Sequence, residues 1–98
     1  MQLLLPLFDN DGHAFSDAIM RGIREDLVAR FGGITAFSRS PAEGVWSHGG
    51  EKVRDDIVLV EVMVETLDQG WWQGFGRTLE RTLQQQSIVI RAFDIVLL

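Results

Sequence analysis

The chain contains no cysteine. Disulfides, thiolate metal sites and cysteine nucleophiles are therefore excluded. Basic charge is also scarce. Of nine basic residues only one, Lys52, is a lysine, and they stand among fourteen acids for a net charge of −5. A surface that tracks phosphates needs clustered lysine and arginine, so no nucleic-acid partner is expected. Long apolar runs are missing too. Met1–Phe8 is apolar but too short to span a membrane. It also lacks the basic region and small-residue cleavage site of a signal peptide. No membrane partner is expected, and the expected compartment is the cytoplasm.

Several catalytic signatures are absent. No H-x-x-x-H, Walker or ordered Ser/His/Asp pattern occurs. Gly74-x-Gly76 lies within a helical stretch and does not follow a strand, so it is not a dinucleotide fingerprint. No cofactor and no metal is expected.

What remains is an ordinary globular composition, 46% apolar and 23% charged over 98 residues, sized for one domain, 1–98. Ile57–Glu65 is its most informative stretch. Val58, Val60, Val62 and Val64 form one alternating set, wholly β-branched. Ile57, Leu59, Glu61, Met63 and Glu65 form the other, mixed but still largely apolar. Successive strand residues face opposite ways, so this strand wants cover on both sides. The chain has enough helix for one side only, which points to a second copy on the other.

Leu3–Phe8 reads as a first strand, with Pro6 removing a ladder donor. Asp9–His13 is a turn by composition. Ser16 is a good helix N-cap, and Phe15 and Met20 have the spacing of a hydrophobic staple. The first helix runs to about Phe31, with Ile19, Ile23, Leu27 and Phe31 on one stripe. Arg21 with Glu25 and Asp26 with Arg30 stand at i,i+4, and Gly32-Gly33 stops the helix. Ile34–Ser38 is a short second strand. Arg39–Lys52 is a long connection that has the reach of a β-ribbon, and the third strand covers about Asp56–Glu65. A second helix follows, opened by a capping box at Thr66–Gln69 or by Asp68 directly, with Trp72, Phe75, Leu79 and Leu83 on one face. Ser87–Leu97 reads as the last strand.

The order is β-α-β-β-α-β. Right-handed crossovers convert it into an α+β, ferredoxin-like domain. It has a four-stranded antiparallel sheet in the order 4-1-3-2 and two helices on one face. Strand 1 is then central and Pro6 sits in conflict with it, so a bulge or missing ladder bond is expected there. The valines of strand 3 meet the helices. Ile57, Leu59 and Met63, with some of Leu4, Phe8, Val89 and Phe93, form an open apolar face, larger than soluble monomers usually expose. Back-to-back sheets in a dimer would cover it and can enclose a pocket.

Candidate chemistry is sparse. Asp9, Asp11 and His13 resemble the start of a calcium loop, but the position for the bidentate Glu holds Met20, and a plain turn explains the same residues. His48 lies on the long connection beside Glu51, where an imidazole and a carboxylate could close over a site; a solvated hairpin tip is the simpler reading. Glu61 sits mid-strand between Leu59 and Met63, where partial desolvation would suit a general acid or base. Arg91 is on the same sheet face, one strand removed, so the bland alternative is a structural Glu61–Arg91 pair. Trp71-Trp72 should place one indole in the core and the other near the surface, where it could stack on a ligand.

Arg30-Phe31-Gly32-Gly33-Ile34-Thr35, then Gly44-Val45-Trp46, then Gln85-Gln86-Ser87-Ile88-Val89 resembles a pattern in small bacterial proteins of unknown function, the DUF3574-type group. Gly32 stands where that pattern has proline. The resemblance implies the fold and no activity, and it marks Thr35, Trp46 and Gln86. The same element order is shared by PII-like and CutA-like trimers and by dimeric α+β-barrel proteins, an analogy of fold alone.

Three readings follow, the last of them a purely structural oligomer. In the first, the chain is a homo-oligomer, expected to be a dimer, that binds a small molecule or partner. Its long connection does the recognition through Arg39, Glu43, Trp46 and His48, with Trp71 and Arg91 as further ligand contacts. In the second, it is a cofactor-independent enzyme of the dimeric α+β-barrel kind. Its pocket lies at the sheet interface, with Glu61 or His48 as base and Arg91 orienting an anionic substrate.

Overall fold

The computed structural model describes residues 1–40, 47–48, 51–52 and 57–98, with side chains for 1–37 and 57–98. Its elements are β1 (Gln2–Pro6), α1 (Asp17–Phe31), β2 (Thr35–Ser40), β3 (Ser47–His48), β4 (Glu51–Lys52), β5 (Ile57–Glu61), α2 (Gln69–Thr82) and β6 (Val89–Arg91). The main sheet has the order β2-β5-β1-β6 with all neighbours antiparallel. This is the ferredoxin-like arrangement expected from the element order. β3 and β4 form a separate two-stranded ribbon within the long connection.

The alternation in β5 sets the layers. Val58, Val60 and Val62 are buried together with Leu3 and Leu5 of β1. These sheet residues form one cluster with Ile23 and Leu27 of α1 and Trp72, Phe75, Leu79 and Leu83 at α2. All sheet members of the cluster belong to one alternating set, so both helices cover the same face. Among the described residues no helix is long and apolar enough to cross a membrane.

The helix ends follow from their caps. Ser16 accepts the Ile19 N–H at 3.2 Å, and Asp68 accepts the Trp71 N–H at 3.0 Å. α1 stops at Gly32, whose φ of 83° is left-handed and whose N–H bonds Val28 O, the conformation glycine adopts without steric cost. Arg21 pairs with Glu25 at 3.9 Å as spaced. Arg30 instead reaches Asp68, at 3.7 Å, tying the end of α1 to the start of α2.

The expected bulge at Pro6, the third strand reaching Glu65 and the last strand reaching Leu97 need correction, β5 ending at Glu61. The register of β1 on β5 runs unbroken through Pro6↔Ile57, so there is no bulge at Pro6. On its other side the ladder to β6 ends at Leu4↔Val89, before the proline is reached, in agreement with the other outcome expected there, a missing ladder bond. The bulge lies in β2, where the register on β5 shifts between Phe37 and Ser40. Finally, β6 is three residues long, Val89–Arg91, and does not reach Leu97. A strand is as long as the neighbour it pairs with, and β6 has only β1, whose pairing starts at Gln2↔Arg91.

Candidate functional site

The face of the sheet away from the helices carries its side chains in register rows. One row runs Phe37, Leu59, Leu4, Val89 across β2, β5, β1 and β6. Leu59 and Leu4 are half-buried; Phe37 and Val89 are exposed. This apolar row crosses all four strands, and among the described residues no helix covers it. Ile57 and Pro6 follow beside it in the next row. The expected open face is thus present, and Phe37 is a member the alternation of β5 alone could not reveal. Met63 (66% exposed) and Phe93 (55%) lie past the ends of β5 and β6.

The adjacent row is polar: Thr35, Glu61, Gln2, Arg91. Gln2 is buried, and its amide serves both neighbours. Its Oε1 accepts a short bond from Arg91 Nε, and its Nε2 donates to Glu61 Oε1 at 3.4 Å. Glu61 and Arg91 therefore share a face, as expected, but they are linked through Gln2. The sequence offered one signal for this, a glutamine inside an apolar first strand, which is costly unless its amide is satisfied. Chemically the row presents one guanidinium and one carboxylate, held about two strand spacings apart, roughly 10 Å.

A cleft of about 340 Å³ opens at the end of this row. Its walls are Glu61–Glu65 with Leu67 on one side and Ala92–Ile95 on the other, and Met1 is also in the lining. Val62 still bonds to Met1, N–H to O at 2.8 Å. A second hollow, of about 430 Å³, lies between α2 and β6, where Trp72, Gly76, Arg77 and Ile90 line it. A Cβ on Gly76 would stand 3.4 Å from Ile90 Cδ1, so this glycine permits close approach of the helix to the strand.

Trp72 is buried and Trp71 half-buried, the division expected of adjacent helical positions. Trp71 packs edge-on to Phe31 at 5.2 Å and stacks on Phe75 at 4.9 Å between ring centroids. The Arg30 guanidinium stands 4.4 Å from its centroid. The indole is thus an anchor joining the two helices.

The loop before α1 behaves as a turn. Asp9 Oδ1 accepts the N–H groups of Asp11 and His13, both at 2.9 Å. His13 Nδ1 is 3.7 Å from Asp9 Oδ2. Ligand atoms of Asp9, Asp11 and His13 gather within 4.8 Å of one another, a proximity that the Asp9-centred turn explains.

Of the recognition residues expected on the long connection, Glu43 and Trp46 lie outside the described residues. Arg39 falls in β2, and His48 stands opposite Glu51 in the ribbon. That pairing gives the segment the ribbon character read from its length. No protein-family model matches the chain, and no curated protein and no solved structure matches it.

Proposed function

We propose that the chain is a homo-oligomeric binding domain whose open sheet face is covered by a second copy, expected as a dimer in the cytoplasm. The observation that supports this most is the in-register apolar row Phe37, Leu59, Leu4, Val89. Apolar surface removed from water contributes roughly 25 cal/mol per Å², and a flat row on a sheet is best matched by another flat row. Stacked sheets sit about 10 Å apart, which suits side chains of this size.

The polar row supports the same reading. Gln2 bonds both Arg91 and Glu61 within one chain, so each charged group keeps a hydrogen-bond partner at the edge of a covered face and has further bonding capacity to spare. At the border of such an interface Arg91 and Glu61 would offer a small molecule a cation and a carboxylate beside an apolar floor. Recognition by the connection, through Arg39, Glu43, Trp46 and His48, belongs to the same proposal. So does kinship with the DUF3574-type group, for which Arg30–Thr35 spans the end of α1 and the start of β2.

The test is sedimentation velocity on wild type, Phe37→Glu and Val89→Glu. Both side chains are exposed in the single chain, so the variants should fold. Each is expected to lose the face contact and sediment as a smaller species. An unchanged sedimentation coefficient in both variants would remove the face from the assembly.

A further inference from the structure

β6 is an edge strand, and among the described residues β1 is its one neighbour in the sheet. The bond pattern shows which of its backbone groups β1 uses. Met1 and Val62 exchange both backbone bonds, Met1 N to Val62 O at 2.6 Å and Val62 N–H to Met1 O at 2.8 Å. Bonded and non-bonded pairs alternate along an antiparallel ladder. Leu3 and Leu5 therefore also turn their backbone groups to β5, while Gln2 and Leu4 turn theirs to β6. There they meet Arg91 and Val89. Ile90, opposite Leu3, points its N–H and C=O the other way, to the free edge.

The side chain of Ile90 lies on the helix side of the sheet with its partner Leu3, which is fully buried. Beside it is the hollow of about 430 Å³ between α2 and β6. Trp72, Ile88 and Ile90 give this hollow apolar walls, and Gln73, Arg77 and Glu80 of α2 add a polar part. A strand added to β6 would lie about 4.8 Å beyond it. Every second side chain of that strand would then turn under α2 into the hollow. The opposite edge of the sheet, β2, differs. Its register on β5 shifts between Phe37 and Ser40, and a bulge of that kind blunts an edge against pairing. The register of β6 on β1 has no shift.

We infer that the free edge of β6 pairs antiparallel with β6 of a second copy. An occupant of this edge must bring an outward-facing N–H and C=O, and an apolar side chain directed to the helix side. β6 brings both on one residue, Ile90. A two-fold axis normal to the sheet sets Ile90 opposite the partner's Ile90. Each N–H then donates to the other's carbonyl, so the contact is isologous and closes on itself. The axis leaves the helices of both copies on the same side, so each Ile90 enters the hollow beside the other copy's α2. The four-stranded sheet becomes one continuous sheet of two copies. This contact is independent of face-to-face stacking, because the two use different two-fold axes.

The test is made in Phe37→Glu, which alters the open face on β2 and leaves β6 intact. By native mass spectrometry this protein should remain a dimer. Adding Ile90→Pro removes the N–H that faces the edge and none that β1 uses, and the protein should become single with an unchanged circular-dichroism spectrum. Adding Ile90→Val instead keeps the N–H and should keep the dimer. Amide exchange gives a readout without altering β6. On dilution of Phe37→Glu, protection of the Ile90 amide should fall by about tenfold or more, while that of Val89 and Arg91 holds. The inference is overturned by a Phe37→Glu protein that is already single, by a dimer that Ile90→Pro leaves intact, or by an Ile90 amide unprotected at every concentration. Stacking of the faces is judged separately, by whether Phe37→Glu lowers the wild-type mass.

Discussion

The Gln2 side chain stands between Arg91 and Glu61, accepting from the one through Oε1 and donating to the other through Nε2. The register places all three in one row, Glu61 on β5, Gln2 on β1 and Arg91 on β6. A buried amide bonded to a charged group on each side is worth more than an ordinary neutral bond, about 1.5–3 kcal/mol for bonds to charged partners.

Gln2→Leu should therefore destabilise the fold by about 1–3 kcal/mol, although it replaces a polar group with an apolar one of similar size. Urea denaturation checks this, and a double-mutant cycle of Gln2→Leu with Arg91→Met isolates the coupling. A cycle energy near zero would mean that the bond contributes nothing net.

Leu27 is fully buried in α1 and belongs to the cluster with Leu3, Val60 and Leu79. Leu27→Ala should cost about 2–5 kcal/mol, the transfer term plus the cavity. Val28, on the same helix, is 43% exposed. Val28→Ala should stay within about 0.5 kcal/mol, which makes it the matched control in the same denaturation series.

At Gly32 the left-handed φ of 83° excludes a Cβ without strain, although open space surrounds the position. Gly32→Ala should cost about 1–2 kcal/mol through backbone strain alone. Gly32→Asn should recover part of it, since asparagine tolerates that region. Thermal denaturation ranks the three; equal melting temperatures would show that α1 does not depend on this cap.

Much of the architecture was legible in the sequence because it is local. The valine alternation of Val58–Val64 gave the layers, Ser16 and Asp68 gave the helix starts, and Gly32 gave the stop. The features that escaped depend on which strand lies beside which. Gln2 acquires meaning only once β1 separates Glu61 from Arg91. Phe37 joins the open face through a register that a bulge then shifts. The largely apolar residues from Ala92 to Leu97 looked like strand because their composition is strand-like, yet among the described residues they pair with no neighbour. Arg30 has the helical spacing to meet Asp26, but the packing of the two helices brings Asp68 to it. Of the candidate site, Glu61 and Arg91 were found from strand periodicity. Trp71 was proposed from helical spacing, and Arg39, Glu43, Trp46 and His48 from the composition of the stretch Arg39–Lys52.

The measurement that bears most directly on the account is native mass spectrometry of the purified protein beside Val89→Glu. Wild type should appear as an assembly of two or more copies, and Val89→Glu, with an unchanged circular-dichroism spectrum, as a species of half that size. A wild-type protein that stays single at micromolar concentration would contradict the claim that a second copy covers the open face.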